Sequence, residues 1–166
     1  EELLQARTER EAALDHYTDL YDFAPVGYFT LARDGAISKV NLTGAKLLSV
    51  ERSNLLKKRF GLFVADQFRA AFNDFLESVF ESKTKESLNI MLGKKGGESR
   101  WVLIEAICAD DKQECLAAIT DITERKQAED ALRESENKLR LIFDTQSEGV
   151  ALNEIIYDEH GEMIDY

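Results

Sequence analysis

The sequence predicts an α+β domain held between two helices. Three features point to it: a β-hairpin near the N-terminus, a phenylalanine-rich amphipathic helix in the middle, and three alternating strands that pass without a loop into a long charged helix. The organisation follows: an N-terminal amphipathic helix over residues 1–20, a folded domain over 21–122, a linker helix over 123–144, and the truncated start of a second domain over 145–166.

Residues 1–20 place Leu3, Ala6, Ala13, Tyr17 and Leu20 at nearly three-and-four spacing, with Arg10 in one slot. Such a helix packs on the domain or pairs with a copy of itself. The only proline, Pro25, forbids its continuation, and Gly27 opens a strand. Gly27 to Ala32 and Ala36 to Asn41 then form a hairpin about Arg33-Asp34-Gly35. Asn41 is placed to cap a helix from Leu42 to Ser49, and only short helical pieces are expected from Glu51 to Ala65. From Asp66 to Ser82, Phe68, Phe72, Phe75 and Val79 lie on one stripe. Six of the nine phenylalanines fall between Phe60 and Phe80, so this cluster is expected to fill the core.

Glu86 to Leu92, Glu98 to Ala109 and Gln113 to Asp121 read as an antiparallel meander, turning at Gly93 to Gly97 and at Asp110-Asp111. A turn about Asp111-Lys112 sets Cys108 opposite Cys115. It gathers Val102, Ile104, Ala106 and Cys108 with Cys115, Ala117 and Ile119 on one face. The other face receives Trp101, Leu103, Ile107, Leu116 and Ile122 beside Glu105 and Ala118. Both faces are largely apolar, so the second needs a cover, a flanking helix or a partner subunit.

Asp121 and Glu124 have the spacing of a capping box, with Thr123 as the alternative cap. Ten of the 17 residues from Glu124 to Arg140 are charged, with Glu129→Arg133, Glu134→Lys138 and Glu136→Arg140 in the favoured order. Ala128, Leu132, Ser135, Leu139 and Ile142 form a heptad seam too short to hold an isolated helix firmly, so a second copy of the chain is the expected partner. Beyond it the chain repeats itself. Leu20-Tyr21-Asp22 and Gly27 recur as Ile142-Phe143-Asp144 and Gly149, and Gly35 to Val40 recurs as Gly161 to Tyr166.

The net charge of −11 works against nucleic acid and anionic membrane partners. No apolar run has the length of a membrane span, and Glu1-Glu2-Leu3-Leu4 lacks the character of a signal peptide. Two cysteines without a spacing motif point to a reducing, cytoplasmic setting for this segment, whose parent protein can still be membrane-associated. The only histidines, His16 and His160, assemble no catalytic or metal-ligand constellation. His16 also lacks the following Glu usual for a kinase phosphoacceptor.

Ala24-Pro25-Val26-Gly27-Tyr28-Phe29, Asp34-Gly35-Ala36-Ile37 leading to Asn41, Trp101-Val102 and Ile119 to Lys126 together resemble a PAS domain of bacterial sensor histidine kinases, most specifically in the Asp-Ile-Thr triplet and the Glu-Arg-Lys after it. The resemblance covers about Tyr17 to Arg140, with a second PAS unit starting after it. It implies a five-stranded antiparallel sheet with helices on one face, a small-ligand cavity between them, and signalling through the exit helix of a homodimer. The residues then expected to line the cavity are Phe68, Phe72, Leu88, Ile90, Arg100, Val102, Ile104 and Ile119. Asp121, Thr123 and Glu124 carry the signal in this picture. Lys57 to Gly61 lacks the cysteine of flavin-binding members and residues 66–82 lack an axial histidine, so flavin and haem are both disfavoured and the ligand is unknown. The expected function is a non-catalytic sensory module of a multidomain protein, a two-component histidine kinase with downstream PAS and output domains. The alternatives are a ligand-free dimerisation spacer and a module feeding a cyclase-type output.

Overall fold

The computed structural model describes residues 2–82, 84–93, 98–109 and 113–149. The expected turns at Lys94 to Gly97 and Asp110-Asp111, residue His160 and the second repeat beyond Gly149 lie outside the described residues. The chain divides into two units, Glu1–Lys126 and Gln127–Tyr166.

Helix α1 (Glu2–Asp22) stops three residues before Pro25. Strands β1 (Gly27–Ala32) and β2 (Ile37–Val40) form the hairpin, with a register shift between Thr30 and Leu31. Gly35 turns it at φ +79°, a left-handed conformation that a side chain would strain. Helices α2 (Leu42–Leu47) and α3 (Arg52–Leu55) and two 3₁₀ turns (Phe60–Phe63, Asp66–Phe68) lead into α4 (Arg69–Glu81). The predicted helix over 66–82 therefore begins with a separate 3₁₀ turn. Strands β3 (Glu86–Leu92), β4 (Arg100–Cys108) and β5 (Glu114–Asp121) follow. Helix α5 (Thr123–Gly149) runs past Asp144, the expected end.

The five antiparallel strands are ordered β2-β1-β5-β4-β3, so the hairpin and the meander join where β1 pairs with β5. The predicted register is found, with Cys108 opposite Cys115 and Val102 opposite Asp121. Helix α2 packs on β1, α3 on β2, and α4 on β3 and β4. The face they cover is closed by Phe29, Leu31, Ile90, Val102, Ile104 and Ile119 against Phe60, Phe72, Val79 and Phe80, all buried. At about 25 cal/mol per Å² of apolar surface removed from water, this layer supplies most of the drive to fold.

The opposite face remains apolar and open, with Tyr28, Ile107 and Leu116 exposed. Helix α1 touches this side only near its C-terminus, where the Tyr21 ring stacks on Tyr28 with centroids 5.9 Å apart. Of the stripe predicted for α1, the described side chains Ala13, Tyr17 and Leu20 are exposed rather than packed on the domain. Ile122, expected on the open face, is buried, because the chain leaves the strand at this residue to begin α5.

Candidate functional site

Two junctions bind the flanking helices to the sheet. At the N-terminal one, Asn41 is wholly buried and uses every polar atom of its side chain. Its Oδ1 accepts from the amides of Tyr28 (2.9 Å) and Gly44 (2.8 Å), and its Nδ2 donates to the carbonyls of Tyr21 (2.7 Å) and Val26 (3.0 Å). The predicted cap of α2 thus also ties the end of α1 to β1. Asp22, the last residue of α1, accepts from the Leu42 amide at 3.3 Å and from Arg52 Nη1 at 2.9 Å. The chains meet closely here, since a Cβ on Gly44 would stand 2.8 Å from the Phe29 ring and from a Val40 methyl.

At the C-terminal junction, β5 becomes α5 across a single residue. Asp121 Oδ1 accepts from the Thr123 amide (2.9 Å) and hydroxyl (2.6 Å), and Thr123 Oγ1 accepts from the Trp101 amide (3.0 Å). The Ile122 amide donates to the Trp101 carbonyl at 2.8 Å, and Lys126 Nζ lies 5.8 Å from the centre of the Trp101 ring. The first turn of α5 is therefore fastened to β4 as well as to β5. The predicted capping box is corrected by this geometry: Ile122 is the cap, because its carbonyl receives the Lys126 amide, and Asp121 precedes it and bonds Thr123, the first residue of the helix. Glu124 lies exposed.

Beside this junction lies a cleft of about 330 Å³ between the C-terminal end of α2 and the start of β4. Leu48, Val50, Phe63 and Leu92 form its apolar wall, with Glu98 and Arg100 at the rim. Arg100 stands 3.7 Å from Asp121 Oδ2 and 3.7 Å from Glu98 Oε2. The same guanidinium thus touches the cleft and the residue that anchors α5.

A family model of the PAS domain matches residues 25–124. This chain belongs to the PAS domain family. The PAS domain is a sensory and regulatory module, and its fold recurs in solved structures. The PAS domain of an HTR-like protein from Haloarcula marismortui is 18% identical, with a TM-score of 0.61, covering 71% of this chain and 98% of that one. A sensory box histidine kinase/response regulator from Burkholderia thailandensis E264 is 21% identical, with a TM-score of 0.59, covering 75% of this chain and 97% of that one. The PAS domain of the RpfR quorum-sensing receptor from Cronobacter turicensis, solved in complex with BDSF, is 18% identical, with a TM-score of 0.52 and coverage of 60% and 96%. Among curated proteins, none matches the sequence.

Within this PAS domain the residues expected to line a cavity separate into two groups. Phe72, Ile90, Val102, Ile104 and Ile119 are buried in the continuous core, and Phe68 and Leu88 are partly buried against it. Arg100 reaches the cleft. The cleft's own wall, from the α2 end and the Phe60–Phe63 turn, was missed because short helices carry no long apolar period to reveal which way they face. Cys108 and Cys115 face each other as free thiols. Burial pushes the Cys115 thiol up to about 12, with the neighbouring Cys108 adding to the rise. Along α5, Ala128, Leu132, Ser135, Leu139 and Ile142 are all exposed. Among the described residues, no helix is long and apolar enough to cross a membrane.

Proposed function

We propose that this PAS domain is the sensory relay of a multidomain signalling protein with a histidine kinase output, passing a change at the paired strands β4 and β5 into α5. The observation that carries this reading is the chain of contacts Arg100–Asp121–Thr123–Trp101, an ion pair followed by two hydrogen bonds, which leaves no loop to absorb a displacement of the strands. Asp121 and Thr123 are the transmitting residues, with Glu124 adding charge at the start of the helix, where acidic groups are favourable. The exposed seam of α5 and the open sheet face are surfaces for a homodimer, and the downstream PAS unit and output domain take the signal onward. A cytoplasmic location fits two cysteines that lack a spacing motif.

The structures with sensory-kinase and receptor descriptions support this setting by fold. The full-length protein carrying Asp121→Ala tests it: its output should become fixed and stimulus-independent, while the isolated domain keeps its fold. An output that responds to the stimulus as in the wild type would contradict the relay. A second reading, a spacer without ligand, is favoured by the phenylalanine-filled space between α4 and the sheet. Native mass spectrometry separates the two, since a stoichiometric small molecule on the gently purified chain excludes the spacer.

A further inference from the structure

The cleft beside β4 combines an apolar wall with two opposite charges at its rim. Leu48 and Val50 are only partly buried against the core, so an occupant would complete their burial. Ser49, between them, holds φ at +53°, a left-handed conformation costly to any residue with a side chain. This conformation ends α2, with the Ser49 amide on Lys46 O and the Val50 amide on Ala45 O, and it turns Val50 back beside Leu48 to form the wall. Among the described lining residues Arg100 is the single cation and Glu98 the single carboxylate. At 3.7 Å, neither Glu98 nor Asp121 closes a hydrogen bond with Arg100, since such bonds form at roughly 2.7–3.2 Å. The guanidinium fork, which suits a carboxylate approached edge-on, is therefore held by charge attraction.

The charge balance selects the ligand class. Among the described residues Arg100 faces two carboxylates, which together carry one more negative charge than it balances and disfavour a simple organic anion. A molecule with both a carboxylate and an ammonium group matches the pair. We propose that the cleft binds a small apolar zwitterion of the free amino acid class. Its carboxylate docks on Arg100, its ammonium on Glu98, and its side chain on the wall of Leu48, Val50, Phe63 and Leu92. The volume agrees: 330 Å³ holds about eleven water-sized groups at roughly 30 Å³ each, enough for an amino acid the size of leucine. Glu98, 88% exposed at its side chain, is free to turn toward an ammonium group at little cost. Carboxylate binding draws Arg100 away from Asp121, leaving the full charge of Asp121 to the start of α5. That last consequence rests on the relay reading above; the binding itself does not.

Calorimetric titration of the 166-residue chain tests the proposal with three probes: L-leucine, 4-methylpentanoate, which lacks the ammonium, and 3-methylbutylamine, which lacks the carboxylate. Leucine should bind saturably, and each analogue at least about tenfold more weakly, the loss expected for one charge-assisted contact. Glu98→Gln should weaken leucine but not 4-methylpentanoate, and Arg100→Gln should weaken both. Absence of saturation by leucine at about 10 mM, or equal binding of all three probes, overturns the proposal even if neither variant folds. Amide exchange in α5 during the leucine titration keeps the two readings apart. Binding without any change at Thr123 to Lys126 leaves the site standing and removes the relay, whereas loss of anchoring in Asp121→Ala without leucine binding does the reverse.

Discussion

Asn41 shows how much one side chain does here. Wholly buried, it would cost about 1–3 kcal/mol for each polar group left without a partner, yet all its groups are bonded, to three different segments. Its capping role is legible in sequence, because Asn before an apolar period has a known use. Its bonds to Tyr21 and Val26 are not, since they depend on where α1 ends in space. Cys115 carries a separate prediction at this scale. Burial holds its proton from the ordinary value of 9.0 up to about 12. An acid raised on folding contributes stability that is whole below pH 9 and is lost as pH rises toward 12, at up to about 1.4 kcal/mol per pH unit. Tyr21, raised by burial and then by Asp22, adds to the same alkaline loss. Urea midpoints at pH 8.5 and 10.5 should therefore fall less for Cys115→Ala than for the wild type, whereas equal falls would show that the thiol titrates normally in the fold.

At the scale of elements, the strands were the most readable part. Alternation fixes which residues share a face, and one turn position then set the whole register of β4 on β5. Helix ends were less so: a 3₁₀ turn and an α-helix share apolar spacing over three residues, which hid the break before Arg69. Helix α5 is supported along its surface by Lys138–Glu134 at 2.8 Å and Arg133–Asp130 at 3.2 Å, both exposed pairs worth only tenths of a kcal/mol. Its exposed Leu132 and Leu139 need a second helix for more. Light scattering at high micromolar concentration should give a dimer for the wild type and a monomer for Leu139→Glu. A wild-type monomer, or a dimer unaffected by the substitution, would place the association elsewhere or remove it.

Over the whole molecule, the α+β class, the five strands and the loop-free exit were all legible, because each rests on local period and turn chemistry. The cleft was legible only through Arg100, because its wall is assembled from short segments that meet after folding. The central claim is that Asp121 fastens the first turn of α5 to the sheet without holding the sheet together. Asp121 is exposed, and its side chain hydrogen-bonds Thr123 and pairs by charge with Arg100, so its truncation leaves the buried core untouched. Native-state amide hydrogen exchange on wild type and Asp121→Ala measures this directly. Thr123 to Lys126 should exchange at least about tenfold faster in the variant, the equivalent of roughly 1.4 kcal/mol, with β1, β4 and β5 unchanged. Unchanged protection of that turn, or loosening of the whole sheet, would contradict it.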